Sequence, residues 1–144
     1  MSARLYKIGP CTGHIDIRKA NGEYRVRDLV TVSSGDDYRV IMTLYAGTDR
    51  QREFRRTLSF SDTVWHYDCE FPGEGYDGNN LFELPAEPSK NAPSMLGNLR
   101  EFAECELALA WSPQHCLFDL TLYEVEITVS VVATGYSLSP ILEV

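Results

Sequence analysis

The stretch "CLFDLTLYEVEITVSVVA", residues 116–133, decides the fold. Phe118, Leu120 and Leu122 keep one parity, while Val125, Ile127, Val129 and Val131 keep the other. Alternation of this kind marks strands that bury one face, because successive side chains of a strand point to opposite sides. The change of parity at Tyr123–Glu124 requires a bulge or a sharp bend. A strand that switches face midway is expected to pass between sheets at a sandwich or barrel corner.

The same period extends outward along the chain. "RLYKI" (4–8) and "HIDIR" (14–18) flank the turn residues "GPCTG", and "ANG" (20–22) leads into "YRVRDLVTV" (24–32). Strict alternation there puts Tyr24, Val26, Val30 and Val32 on one face. "SSGDD" (33–37) separates that segment from "YRVIMTLYA" (38–46). In "REFRRTLSF" (52–60), Phe54, Leu58 and Phe60 read as inward, with Glu53, Arg55 and Thr57 outward. "TVWHY" (63–67) adds a short strand. "AECELALAW" (103–111) reads as another, with Cys105, Leu107, Leu109 and Trp111 opposite Glu104 and Glu106. One short helix is predicted over "SMLGNLREF" (94–102), with Ser94 as N-cap, Met95 and Leu99 stacked, and Gly97 weakening it. The sum is an all-β fold of about seven or eight strands, an antiparallel β-sandwich or jelly-roll-like barrel. It is expected to form a single domain over 1–144, with a long irregular loop over 70–93 and a tail over 135–144.

At 144 residues, 44% hydrophobic and 24% charged, the chain can bury a sizeable core. No apolar run reaches the roughly 18 residues that cross a bilayer, and "MSARLYKIGPC" lacks the apolar centre of a signal peptide. A soluble intracellular protein is expected, with Cys11, Cys69, Cys105 and Cys116 as reduced thiols. Residues 1–60 hold 11 Lys and Arg against 7 Asp and Glu, and residues 61–144 hold 2 against 14. The net charge of −8 and pI near 4.8 argue against a nucleic-acid partner, despite "DRQREFRR".

Chemistry-bearing residues crowd into Trp65–Asn80, "WHYDCEFPGEGYDGNN". Asp68, Glu70, Glu74, Asp77, Asn79 and Asn80, with Asp36 and Asp37, offer hard oxygen donors for calcium, yet without EF-hand spacing. Cys11 with His14, and His66 with Cys69, have zinc-like spacing, but i and i+3 residues of a strand point to opposite faces. No metal or other cofactor is assigned. Trp65, Tyr67, Tyr76, Asp77 and Asn79 make an alternative ligand surface for a glycan or peptide, with or without calcium. Nucleophile-elbow, Walker, dinucleotide-binding and zincin motifs are all missing, so no enzyme is expected.

Association is the favoured reading. Arg52, Arg55 and Arg56 form the basic side, and Glu104, Glu106, Glu124 and Glu126 the acidic complement, of a self-assembling structural or accessory subunit. Small acidic β-sandwiches of this outline occur among viral and phage structural components, an analogy of fold only. The expected partner is protein, most simply a second copy, with no nucleic acid and no membrane. Leu138, Ile141, Leu142 and Val144 in the tail either fold back or dock on a neighbour, and folding back is the simpler option.

Overall fold

The computed structural model describes residues 6–19, 22–70, 82–83 and 96–144. In chain order the elements are β1 (Tyr6–Lys7), β2 (Cys11–Asp16), β3 (Tyr24–Ser34), β4 (Asp37–Ala46), β5 (Asp49–Ser61), β6 (Trp65–Glu70), β7 (Phe82–Glu83) and β8 (Asn98–Phe102). They continue with α1 (Glu106–Leu109), β9 (Cys116–Leu122), a 3₁₀ turn (Tyr123–Val125), β10 (Ile127–Ala133), β11 (Gly135–Leu138) and β12 (Leu142–Glu143). One antiparallel sheet runs β2-β8-β9-β10-β6. The other runs β11-β5-β4-β3, with β12 beside β11 on the same edge of β5. They face each other as an open sandwich, not a closed barrel. β1 and β7 form a small parallel pair to one side.

Alternation builds the core. Tyr38, Val40, Met42 and Leu44 of β4, with Phe54, Leu58 and Phe60 of β5, point into it. Phe118, Leu120, Leu122, Val129 and Val131 face them from the other sheet, and the rings of Phe60 and Phe118 meet at 5.5 Å. Each such side chain contributes roughly 1.5–3 kcal/mol by leaving water.

Four local readings change. The parity switch in 116–133 is a hairpin inside one sheet, since Leu122 pairs with Ile127 across the 3₁₀ turn and Glu126 takes a left-handed φ of 54°. In β3 a one-residue bulge between Val26 and Asp28 reverses the parity, so Val26 is buried while Val30 and Val32 are 54% and 44% exposed. Residues 103–111 are not a strand. Glu104 turns the chain with φ 56°, and α1 follows, burying Cys105 and Ala108 against Phe102, Leu117 and Val132 and leaving Leu109 and Trp111 exposed. Conversely, the predicted helix over 94–102 is strand β8, preceded by Gly97 at φ 76°; Ser94 and Met95 lie outside the described residues, as does most of loop 70–93. Of "RLYKI", Tyr6 and Lys7 form strand β1, and Arg4 and Leu5 lie outside the described residues. The tail folds back through β11 and β12.

One inward position of β5 is charged. Arg56 shares the parity of Phe54, Leu58 and Phe60 and is only 8% exposed. Its guanidinium donates to the carbonyls of Ile17 (2.9 Å) and Lys19 (3.1 Å), and through Nε to the carbonyl of Ser139 (2.8 Å). Three chain segments are thereby held by one side chain, and their otherwise orphaned acceptors are satisfied. Replacing Arg56 by Met keeps the volume but strands those carbonyls. A loss of about 2–4 kcal/mol is expected, read as a lower urea midpoint at unchanged slope.

Candidate binding cleft

The chain segments around Arg56 open into a cleft of about 770 Å³ at one end of the sandwich. Its walls come from the β2–β3 connection (Asp16, Arg18, Lys19, Glu23), the start of β3 (Tyr24, Arg25) and the β4–β5 turn (Tyr45, Gly47, Thr48, Arg50). The β9–β10 hairpin supplies Tyr123 and Glu124. Glu124 locks the back wall: Oε1 takes the Arg18 guanidinium at 3.2 Å, and Oε2 accepts the Val26 N–H at 3.2 Å. Arg18 also contacts Asp16 at 3.4 Å, and its guanidinium lies over Gly97, where a Cβ would collide with it. Gly97 in turn donates its N–H to the Thr121 carbonyl (2.7 Å) and accepts from Ile17 (3.1 Å).

The mouth is different. Arg25 sits directly opposite Tyr45 across β3 and β4, and Arg50 places its guanidinium 5.4 Å from the centre of the Tyr45 ring. Lys19, Arg25 and Arg50 are exposed and form no ion pair among the described residues. Tyr123, 61% exposed, stands at the same mouth. Among the described lining residues there is no His, Cys or Ser. The arrangement suits an anionic group held between cations and aromatic faces.

The expected interface residues separate. Arg56 is buried and unavailable. Arg52 makes a two-pronged contact with Glu143 of the folded-back tail, at 2.7 and 3.0 Å. Arg55 stays on the outer face of β5, opposite Thr43 and Leu142. Glu104 and Glu106 do not share a strand face, because Glu104 lies in the turn before α1 and Glu106 in its first turn, near the Lys7 N–H (3.3 Å). Glu126 lies in the hairpin, at the far end of β9 from them.

The metal and ligand sets fare likewise. Cys11 and His14 are on β2 and His66 and Cys69 on β6, the two opposite edges of the five-stranded sheet. Four strand spacings make that roughly 19 Å, far beyond a shared zinc. His66 instead stacks on Tyr38 at 4.4 Å. Asp68 accepts the Tyr38 hydroxyl at 2.9 Å, and burial, then this contact, raises the phenol well above its ordinary range. Trp65 and Tyr67 stack 6.3 Å apart on the outer face of β6. Glu74, Tyr76, Asp77, Asn79 and Asn80 lie outside the described residues. No group of three or more metal-ligating side chains occurs among the described residues, and no disulfide joins Cys11, Cys69, Cys105 or Cys116, with burial pushing the Cys105 thiol up.

Two contacts had no reading in the sequence. Arg100 and Asp119 form a two-pronged pair at 2.8 and 2.5 Å on β8 and β9. Burial alone pushes the Asp119 carboxyl up, and the guanidinium opposes that shift. Ser112 Oγ lies 2.6 Å from His115 Nδ1, whose Nε2 reaches the Asp62 carbonyl at 3.0 Å. A carbonyl only accepts, so Nε2 carries the proton and Nδ1 accepts from Ser112; the pair staples the 112–115 turn.

No protein-family model matches the chain, and neither a curated protein nor a solved structure is detectably similar to it. No helix among the described residues is long and apolar enough to cross a membrane.

Glu124→Ala is expected to cost about 2 kcal/mol, since it strands the Val26 N–H and leaves Arg18 with only its 3.4 Å contact to Asp16; thermal or urea unfolding reads this directly. For the tail, the hydrogen bonds of Arg52 hold the Glu143 carboxyl below the ordinary glutamate value. A depressed folded value means that the contact contributes at neutral pH and is lost as pH falls through that value. A carboxyl-carbon NMR titration should show Glu143 protonating at lower pH than free glutamate, and Arg52→Ala should return it to the ordinary range.

Proposed function

We propose that this protein is a non-catalytic binding module that acts by protein–protein contact, receiving an acidic segment of a partner protein in the end cleft. The observation that carries this reading is the trio Lys19, Arg25 and Arg50, without ion pairs among the described residues and lining one cleft, with Arg25 and Arg50 beside Tyr45, in a chain of net charge −8. Most cations of an acidic protein lower their energy beside carboxylates, as Arg18, Arg27, Arg39, Arg52 and Arg100 do here. Cations left without such partners at a tyrosine-lined mouth form a local positive field, which steers acidic partners toward it. Arg and Tyr are also the residue types that dominate the energetics of protein interfaces.

A short Glu-rich peptide labelled for fluorescence anisotropy tests the reading. Binding is expected to weaken steadily with added salt, as screening shortens the reach of the three charges. The double change Arg25→Ala with Arg50→Ala should weaken it by about tenfold or more, equivalent to about 1.4 kcal/mol, with the unfolding midpoint unchanged. A peptide that fails to bind, or one that binds the double variant equally well, overturns the proposal. A uronate oligosaccharide that binds where the peptide does not would reassign the cleft to acidic glycans.

A further inference from the structure

Among the described residues, the open edge of the second sheet is β3, at 11 residues its longest edge strand. Its first half is capped: Tyr24 donates to the Arg18 carbonyl (2.9 Å) and Val26 to Glu124 (3.2 Å), so these N–H groups point away from β4. The bulge between Val26 and Asp28 then moves the outward direction to odd positions. Leu29 bears this out, its N–H being met by the neighbouring Asp28 carboxylate at 2.8 Å instead of by β4. Beyond it, Thr31 and Ser33 make no backbone hydrogen bond outside the β3–β4 ladder among the described residues. Residues 29–35, "LVTVSSG", hold no charge, no proline and no further bulge, the features by which natural edges refuse a second strand.

We infer that β3 pairs antiparallel with β3 of a second copy, about a two-fold axis at Thr31. That register sets Leu29 against Ser33 of the other copy, Thr31 against Thr31, and Ser33 against Leu29. Thr31 and Ser33 present outward N–H groups on both chains, and at Leu29 the N–H exchanges the Asp28 carboxylate for the Ser33 carbonyl of the other copy as the ladder closes. The same register places Val30 opposite Val32 of the second copy on the outer face, covering two of the exposed apolar side chains. It also brings the Arg27 backbone beside the Gly35–Asp36 turn of the other chain, while the Arg27 guanidinium stays with Glu53 at 2.6 Å. Nothing like-charged meets across the axis between Leu29 and Gly35. The facing layer leaves room, because β6 sits over β4, through His66 and Asp68 on Tyr38, one strand in from the free edge. Two sandwiches then share one continuous sheet. The surface is separate from the cleft, whose mouth lies beyond the capped half of β3.

Analytical ultracentrifugation over a concentration series tests this. The full chain should move from 16.3 kDa to twice that mass as concentration rises, with little dependence on salt because backbone bonds carry the contact. Ser33→Pro removes one outward donor on each chain, at an edge position that tolerates proline in the monomer. It is expected to hold the mass at that of the protomer over the same range. Should Ser33→Pro fold poorly by circular dichroism, Val30→Lys with Val32→Lys replaces it, setting like charges against each other across the axis while the β3–β4 ladder stays intact. A chain that stays at 16.3 kDa at every concentration overturns the inference. So does a dimer that survives in either folded variant, or one abolished by Arg25→Ala with Arg50→Ala, which would place the contact in the cleft.

Discussion

A single buried cation organises this molecule. Arg56 reaches from the middle of β5 to the carbonyls of Ile17 and Lys19 at the end of β2 and to Ser139 in the tail. Because a guanidinium has five donors in a rigid fork, it can bind several backbone segments at fixed relative angles, which an ammonium could not. The residues it pins bracket Arg18 and lead into Lys19, so the back wall and the mouth of the cleft inherit their position from the same contact. Packing alone would join the two sheets; Arg56 fixes where their connection lies.

Long-range ion pairs tie separate parts of the chain together. Arg18 meets Glu124, Arg52 meets Glu143 and Arg100 meets Asp119, each joining residues distant in sequence. The surface pairs among them are weak individually. They leave Lys19, Arg25 and Arg50 without an ion pair among the described residues, at the mouth of the cleft. What reads in the sequence as two opposed halves is, in three dimensions, an acidic protein of net charge −8 with a small group of cations at the mouth of one cleft.

The fold was legible where alternation met a sheet with one dry face. β4 and β5 show this best, because every second residue from Tyr38 to Leu44 and from Phe54 to Phe60 points into the core. Arg56 stands on the same inward parity, and that break in pattern is the signal missed when it is assigned with Arg52 and Arg55 to an exposed basic side. Alternation misled in 103–111, where alanines fit both periods and the i, i+3 spacing of Cys105 and Ala108 is the one that was buried. A bulge costs one residue and leaves no compositional trace, which is why Val30 and Val32 were assigned to the wrong face. The cleft could not be read at all: it joins positions near 18, 25, 50 and 124, and only topology brings them together.

The tail has a consequence for how far association can extend. β11 and β12 lie along β5 and occupy the sheet margin opposite β3. Within that sheet β11 and β12 cover the β5 edge against a further strand. Removing residues 135–144 would uncover the β5 edge, leaving the sheet with two open margins among the described residues, the geometry from which stacked-strand assemblies lengthen.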